Sequence, residues 1–317
     1  MIKNNERIVF MGTPDFAVTS LAALVESGLN IVAVVTAADK PAGRGMQLQQ
    51  SAVKQYALSK GLPVLQPEKL KAPEFLSSLK ELKPDLQVVV AFRMLPEVVW
   101  NMPPLGTINL HGSLLPQYRG AAPINWAVIN GETTTGVTTF KLQHAIDTGD
   151  ILMQESLLIG KNETAGEVHD RMKIMGAELL VKTVKGLLTG TIAEKPQTDL
   201  EGANGLRHAP KIFTETCRIN WQQPVATIHN LVRGLSPFPG AFTSFQEKTL
   251  KIYRSEKEPA NHSMEPGSWQ TDQKTYLKFA CTDGYLHVKQ LQLEGKKRME
   301  VEDFLRGWRT SPPAPLL

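Results

Sequence analysis

The sequence predicts a chain in two parts, a doubly wound, mostly parallel α/β sheet followed by a smaller β-barrel domain, on three observations. Over the first two-thirds, short runs rich in Val and Ile alternate with segments of helical apolar spacing, the pattern that builds a parallel sheet covered by helices. Residues 190–210 then turn polar, with Gly, Pro, Thr, Asp and Asn and no sustained apolar period. Beyond them, short strand candidates are separated by turns containing Gly, Pro or Asp, as in small barrels. A chain of 317 residues is also long for one core. The expected division is a first domain over 1–189, a linker over 190–205 and a second domain over 206–317.

Taken in order, residues 7–11 read as the first strand and 16–27 as a helix. The turn between them, Gly12-Thr13-Pro14-Asp15, enters the helix like a Rossmann turn but lacks G-x-G-x-x-G, which disfavours a nicotinamide dinucleotide. Residues 31–36 form the next strand and 51–60 the next helix. The connection over 36–50 is long for a compact α/β unit and carries Pro41, Gly43 and Gly45, the marks of a functional loop. Strands follow over 86–91 and 107–110, with the segment 96–101 between them, and then an apolar-rich run over 136–142. Val168, Met172, Met175, Leu179 and Leu180 place one apolar face on a helix over 164–188. In the last third, 226–235 is helical, and 250–254, 276–281 and 286–293 are strands.

Composition narrows the class. With 42% hydrophobic and 21% charged residues, this is an ordinary globular chain. Residues 1–7 are polar and no later apolar run approaches a membrane span, so the chain reads as cytoplasmic. Cys217 and Cys281 lie far apart and lack metal-ligand spacing, so neither a disulfide framework nor a metal site is expected. The basic excess belongs to the C-terminal part, where 16 Lys+Arg face 11 Asp+Glu from Leu206 onward. A polyanionic partner accounts for it, and so does an ordinary solvated surface.

The most informative stretch is Asn109-Leu110-His111-Gly112-Ser113-Leu114-Leu115-Pro116. On a strand, residues two apart point the same way, so Asn109 and His111 project together while Leu110 turns into the core. A carboxamide beside an imidazole at a strand's carboxyl end suits acyl chemistry, in which the amide steadies an oxyanion and the imidazole moves a proton. A carboxylate to orient the imidazole is the missing member. Asp147, in Ile146-Asp147-Thr148-Gly149-Asp150-Ile151, is the best candidate, with Asp150 and His144 as competing groups. Asp in a Gly-containing turn also commonly bonds only local backbone amides.

Further segments surround this motif: Ile8-Val9-Phe10-Met11-Gly12-Thr13-Pro14-Asp15-Phe16-Ala17, Lys40-Pro41-Ala42-Gly43-Arg44-Gly45, Tyr118-Arg119-Gly120-Ala121-Ala122-Pro123, Asp283-Gly284-Tyr285-Leu286 and Gly295-Lys296-Lys297. In this order, from Arg7 to Arg309, they closely resemble the methionyl-tRNA formyltransferase family. The resemblance implies a Rossmann-like formyltransferase domain followed by an OB-like barrel. It implies transfer of a formyl group from 10-formyltetrahydrofolate to the α-amino group of methionine on initiator tRNA, with Asn109, His111 and Asp147 as catalytic residues and without a metal.

Folate is then expected at Ser113, Leu114, Leu115 and Pro116 and at the loop of Phe92, Arg93, Met94 and Leu95. That loop departs from the family form. Relatives often read Ala-Tyr-Gly, two apolar residues and Leu-Pro, whereas this chain has Ala91-Phe92-Arg93-Met94-Leu95-Pro96, one residue shorter and with a cation in place of Gly. The 36–50 loop is expected to enter the tRNA acceptor stem through Lys40 and Arg44, although Met46 and Gln47 stand where relatives often place lysines. Lys296, Lys297 and Arg298 are the expected tRNA contacts of the second domain, and a monomer is expected. The competing readings are a folate-dependent formyltransferase for an amino sugar or glycinamide ribonucleotide, a formyltetrahydrofolate hydrolase, and a non-catalytic RNA-binding protein.

Overall fold

A computed structural model describes residues 5–42, 47–200 and 205–308. The chain forms two compact units, each discontinuous in sequence: Met1–Pro123, Thr135–Leu157 and Asp170–Ala209 make the first, and Ile124–Thr134, Leu158–His169 and Pro210–Leu317 the second. No helix among the described residues is long and apolar enough to cross a membrane.

The first unit begins with β1 (Ile8–Gly12), every residue of which is buried, then α1 (Asp15–Glu26) and β2 (Ile31–Val35). Two three-residue strands, β3 (Lys40–Ala42) and β4 (Gln47–Gln49), pair antiparallel at the base of the long loop. Ser51 caps α2 (Ala52–Ser59), its hydroxyl accepting from the Lys54 amide at 3.1 Å. There follow β5 (Val64–Leu65), α3 (Pro73–Glu81), β6 (Leu86–Val90), α4 (Glu97–Trp100), β7 (Thr107–His111), β8 (Arg119–Gly120), α5 (Pro123–Ile129), β9 (Thr134–Lys141), β10 (Ile151–Leu158) and α6 (Ala165–Leu188).

Seven strands make one sheet in the order β10-β9-β7-β6-β1-β2-β5. The pairs β5–β2, β2–β1, β1–β6 and β6–β7 are parallel, and β9 runs antiparallel to β7. Connections leave β1 toward β2 on one side and reach β6 and β7 on the other. The topological switch point therefore lies between β1 and β6, where open α/β sheets bind ligands beyond the strands' carboxyl ends. On α6, Val168, Met172, Leu179 and Leu180 are buried as the periodicity predicts, with Met175 partly so. Its start is a capping box: the Thr164 amide donates to Glu167 and the Glu167 amide to the Thr164 hydroxyl. Gly176 lets α6 approach β7, since a β-carbon there would come within 3.0 Å of Leu110, whose side chain points away from Asn109 and His111.

The stretch expected as a linker is docked on the first unit. Lys195 bridges Ile151, Gln197–Leu200 form a 3-10 turn, and β11 (His208–Ala209) pairs in parallel with β8. Local polarity signalled a break in secondary structure, and the bonds that hold this segment come from residues far away in sequence.

The second unit takes in α5 from Ile124 onward and the start of α6 as far as His169, and it holds α7 (Val225–Gly234), the strands β12 (Ala241–Phe245), β13 (Lys248–Pro259), β14 (Trp269–Thr271), β15 (Leu277–Ala280), β16 (Gly284–Leu293) and β17 (Met299–Glu300), and α8 (Val301–Arg306). Its sheet runs β12-β13-β16-β15-β14, antiparallel throughout, with β17 beside β16. Phe245 of β12 and Trp269 of β14 lie at opposite ends of this order, yet their rings are 5.3 Å apart. The sheet thus curls until its ends meet through side chains, the behaviour of a small OB-like barrel. A register shift between Ile252 and Ser255 bends β13 and lets it run on to Pro259, five residues past the predicted strand. Cys217 and Cys281 are buried, unpaired thiols of this unit's core.

Candidate active site

The carboxyl end of β7 carries Asn109 and His111. Pairing with β6 on one side and β9 on the other fixes their register, Asn109 lying opposite Val89 and Phe140. His111 is 6% exposed, and its ring meets Phe140 edge-on at 6.4 Å. The Asn109 carboxamide has no hydrogen-bond partner among the described residues, which leaves its amide available to a substrate oxygen.

Two residues with left-handed backbone bring groups to the imidazole. Tyr118, at φ 60°, turns its carbonyl to His111 Nε2 at 2.9 Å. A carbonyl only accepts, so the hydrogen sits on Nε2 and Nδ1 is the nitrogen left to exchange a proton. Asp147, at φ 53°, faces Nδ1 with Oδ2 at 3.9 Å, and the same oxygen accepts from the Gly120 amide at 3.0 Å. A third, Ala91 at φ 47°, turns the chain out of β6. Such backbone costs a side-chain-bearing residue on the order of 1–3 kcal/mol, and these three cases mark where geometry outweighs local comfort. His144, the competing imidazole, is exposed, and the Asp150 carbonyl accepts from the Lys141 amide.

Beyond β7 the turn 113–116 is stitched to β9 and β10. Thr138 Oγ1 donates to the Ser113 carbonyl at 2.7 Å and accepts from the Leu115 amide at 3.1 Å, while Gln154 Nε2 reaches the Leu115 carbonyl at 2.8 Å. Ser113 and Leu115 are buried, and Leu114 lies over Gly136, where a β-carbon would come within 2.5 Å of it. The Leu115–Pro116 peptide is cis.

In the loop after β6, Phe92 and Leu95 join the cluster of Val9, Met11, Val35 and Val89. Arg93 donates to the carbonyls of Pro67 and Glu68, replacing the acidic partner that a lone cation suggests, and Met94 is 75% exposed. The turn after β1 admits no side chain at Gly12, where a β-carbon would sit 2.7 Å from that of Ala17.

Lys40 is exposed at the start of β3, and Arg44 lies outside the described residues. In the second unit, Lys296 and Lys297 are exposed in the turn after β16. Arg298 is stacked 4.2 Å from the Tyr253 ring and bonded to Gln290. Thr138, Gln154 and Gln197 escaped the sequence reading, because nothing local distinguishes a structural Gln or Thr from a solvated one.

The family model described as "Formyl transferase" matches residues 6–184, and "Formyl transferase, C-terminal domain" matches 211–309. The methionyl-tRNA formyltransferases of Parabacteroides distasonis and Bacteroides fragilis are 58% and 55% identical to the chain, covering 98% and 97% of it and the same shares of their own lengths. Among solved structures, the N-formyltransferase of Helicobacter canadensis, in complex with folinic acid and dTDP-3-aminofucose, superposes with a TM-score of 0.67 at 21% identity, over 89% of this chain and 98% of that one. HypX of Aquifex aeolicus with tetrahydrofolic acid gives 0.65 at 18% identity, over 98% of this chain and 49% of that one. The last two show the shared fold, and the near-full-length identity to the first two shows that the chain belongs to the methionyl-tRNA formyltransferase family.

Proposed function

We propose that the chain transfers the formyl group of 10-formyltetrahydrofolate to the α-amino group of methionine on initiator tRNA, with Asn109, His111 and Asp147 as its catalytic residues. The observation that carries this reading is the juxtaposition of His111 Nδ1, the Asp147 carboxylate and the unpartnered Asn109 carboxamide at one strand end, in a member of this family. Attack of the amine on the formyl carbon makes a tetrahedral oxyanion. Asn109 donates to that oxygen. His111 passes a proton from the incoming amine to the departing folate nitrogen through Nδ1, and Asp147 stabilises the imidazolium in between; such proton transfer is worth roughly 10²–10⁴ in rate.

Folate lies across the switch point, along the turn of Ser113, Leu114, Leu115 and Pro116 and the loop of Phe92, Arg93, Met94 and Leu95. Within that loop the inward Phe92 and Leu95 shape the floor, and Arg93 braces it against 67–68. For tRNA, Lys40 and Arg44 serve the acceptor end, and Lys296, Lys297 and Arg298 form a cationic patch on the second unit. The protein works as a cytoplasmic monomer, where aminoacyl-tRNA is found.

The test offers purified protein charged initiator tRNA and labelled 10-formyltetrahydrofolate, with free methionine and uncharged tRNA as controls. Label on the aminoacyl ester is the expected result. Release of formate alone would instead identify a hydrolase.

A further inference from the structure

Gln197 divides its side-chain hydrogen-bonding capacity between the Asp147 turn and Arg119. Nε2 gives one hydrogen to the Asp147 carbonyl at 2.9 Å and the other to the Gly149 carbonyl at 2.8 Å. Oε1 accepts from Nε and Nη2 of Arg119 at 3.0 and 2.7 Å. The residue is 3% exposed. Two positions earlier, Lys195 exchanges backbone bonds of 2.8 and 2.9 Å with Ile151 at the start of β10, so Gln197 rides on a registered segment. The residue after Arg119 is Gly120, whose amide holds Asp147 Oδ2. One dipeptide therefore grips Asp147 at both ends, the carboxylate directly and the peptide carbonyl by way of Gln197.

We propose that Gln197 and Arg119 are positioning residues for Asp147 in formyl transfer, a role that rests on the catalytic assignment of Asp147 above. A turn with left-handed backbone at a non-glycine position persists only when its surroundings over-determine it, and two donors on its carbonyls supply that constraint. Released, the turn carries Oδ2 away from a nitrogen it already faces across 3.9 Å, and catalytic geometry tolerates little such drift. The residue type is specific. Asn is a methylene short, and an ionised Glu turns oxygen against two carbonyl oxygens. Arg supplies two parallel donors to one acceptor, which an ammonium cannot reproduce.

Gln197→Glu is the discriminating variant, because it keeps the size of the side chain and offers Arg119 a carboxylate partner while removing both donors to the turn. The expected result is a fall in kcat of roughly tenfold or more, with KM for 10-formyltetrahydrofolate and for charged tRNA within about twofold of wild type. On an Asp147→Asn background the same change should cost nothing further, since both act through one group. Arg119→Lys should give a smaller loss with the same kcat-against-KM split, and it serves as the test should the glutamate variant not fold. Wild-type kcat in Gln197→Glu beside an impaired Asp147→Asn overturns the clamp alone, as does a loss that multiplies with Asp147→Asn. Wild-type kcat in Asp147→Asn overturns the catalytic assignment, and the clamp with it.

Discussion

The two units spend their polar groups in opposite ways. In the first, a mostly parallel sheet sends its loops to one edge, and the polar side chains there are turned inward on the backbone: Thr138 and Gln154 on the 113–116 turn, Gln197 on the Asp147 turn, Arg93 on 67–68. In the second, an antiparallel sheet curls around aromatic rings, with Trp221 stacked on Phe279 at 4.6 Å, and cations lie over tyrosine rings, Arg298 at 4.2 Å from Tyr253 and Lys278, which also pairs with Glu258, at 3.9 Å from Tyr285. The first arrangement fixes turns and loops through side-chain bonds to their backbone, which suits a site that must hold its atoms in place. The second offers charge on apolar supports, which suits a phosphate backbone that asks for proximity more than for register.

The largest effects should come at the groups that this inward-turned set surrounds. His111→Ala and Asn109→Ala should each lower turnover by roughly 10²-fold or more, and Asp147→Asn should be comparably severe, while affinity for charged tRNA stays near wild type. Near-normal turnover in a variant, measured at saturating substrates, removes that residue from the mechanism. Next comes Gly149→Ala, which sets a methyl 1.6 Å from the Lys141 carbonyl and forces the backbone to move; a loss of about 2–4 kcal/mol in urea melts is expected.

On the second unit, Lys296→Ala with Lys297→Ala should weaken tRNA about tenfold at low salt and flatten the slope of log K against log salt by about two, leaving kcat alone. An unchanged slope would make the patch ordinary surface. Arg44→Ala should cost less, a few-fold with about one unit of slope, and Arg44→Lys should recover the slope but not any fork-dependent discrimination between tRNAs. The smallest effect concerns His229, which burial between Ser255 and the Lys161 carbonyl pushes down from 6.5 to about 4. The unfolded chain takes up this proton first as the pH falls, so the contribution is complete above 6.5 and is lost toward 4. His229→Gln should flatten that limb by about 2 kcal/mol between pH 7 and pH 5.

What could be read from the sequence followed the range of the forces involved. The β7 motif, the α6 face and the α2 helix are local patterns, and the structure shows each within a residue or two of its expected bounds. The helix α3 was passed over because nine residues behind Pro73 give little more than two turns of period. The strand β10 was passed over because its outer half alternates burial without an apolar run. Around the site, Asn109, His111 and Asp147 were found through strand alternation and family likeness. Gln197 was not, since its 50-residue reach to Asp147 leaves no spacing signal, and polar composition alone suggests a tether.

The two cysteines have a practical consequence. Each thiol is buried and free, and burial pushes its ionisation up, to about 12 for Cys281, so thiolate is scarce at neutral pH. The native chain should therefore give almost no background with maleimide. A single cysteine placed at Leu48, 69% exposed on β4, or at Met94 would then carry a fluorophore or spin label as the sole reactive position. The proposed approach of tRNA to the 36–50 loop, or of folate to the loop after β6, could be tested in real time without first removing a native thiol from the core.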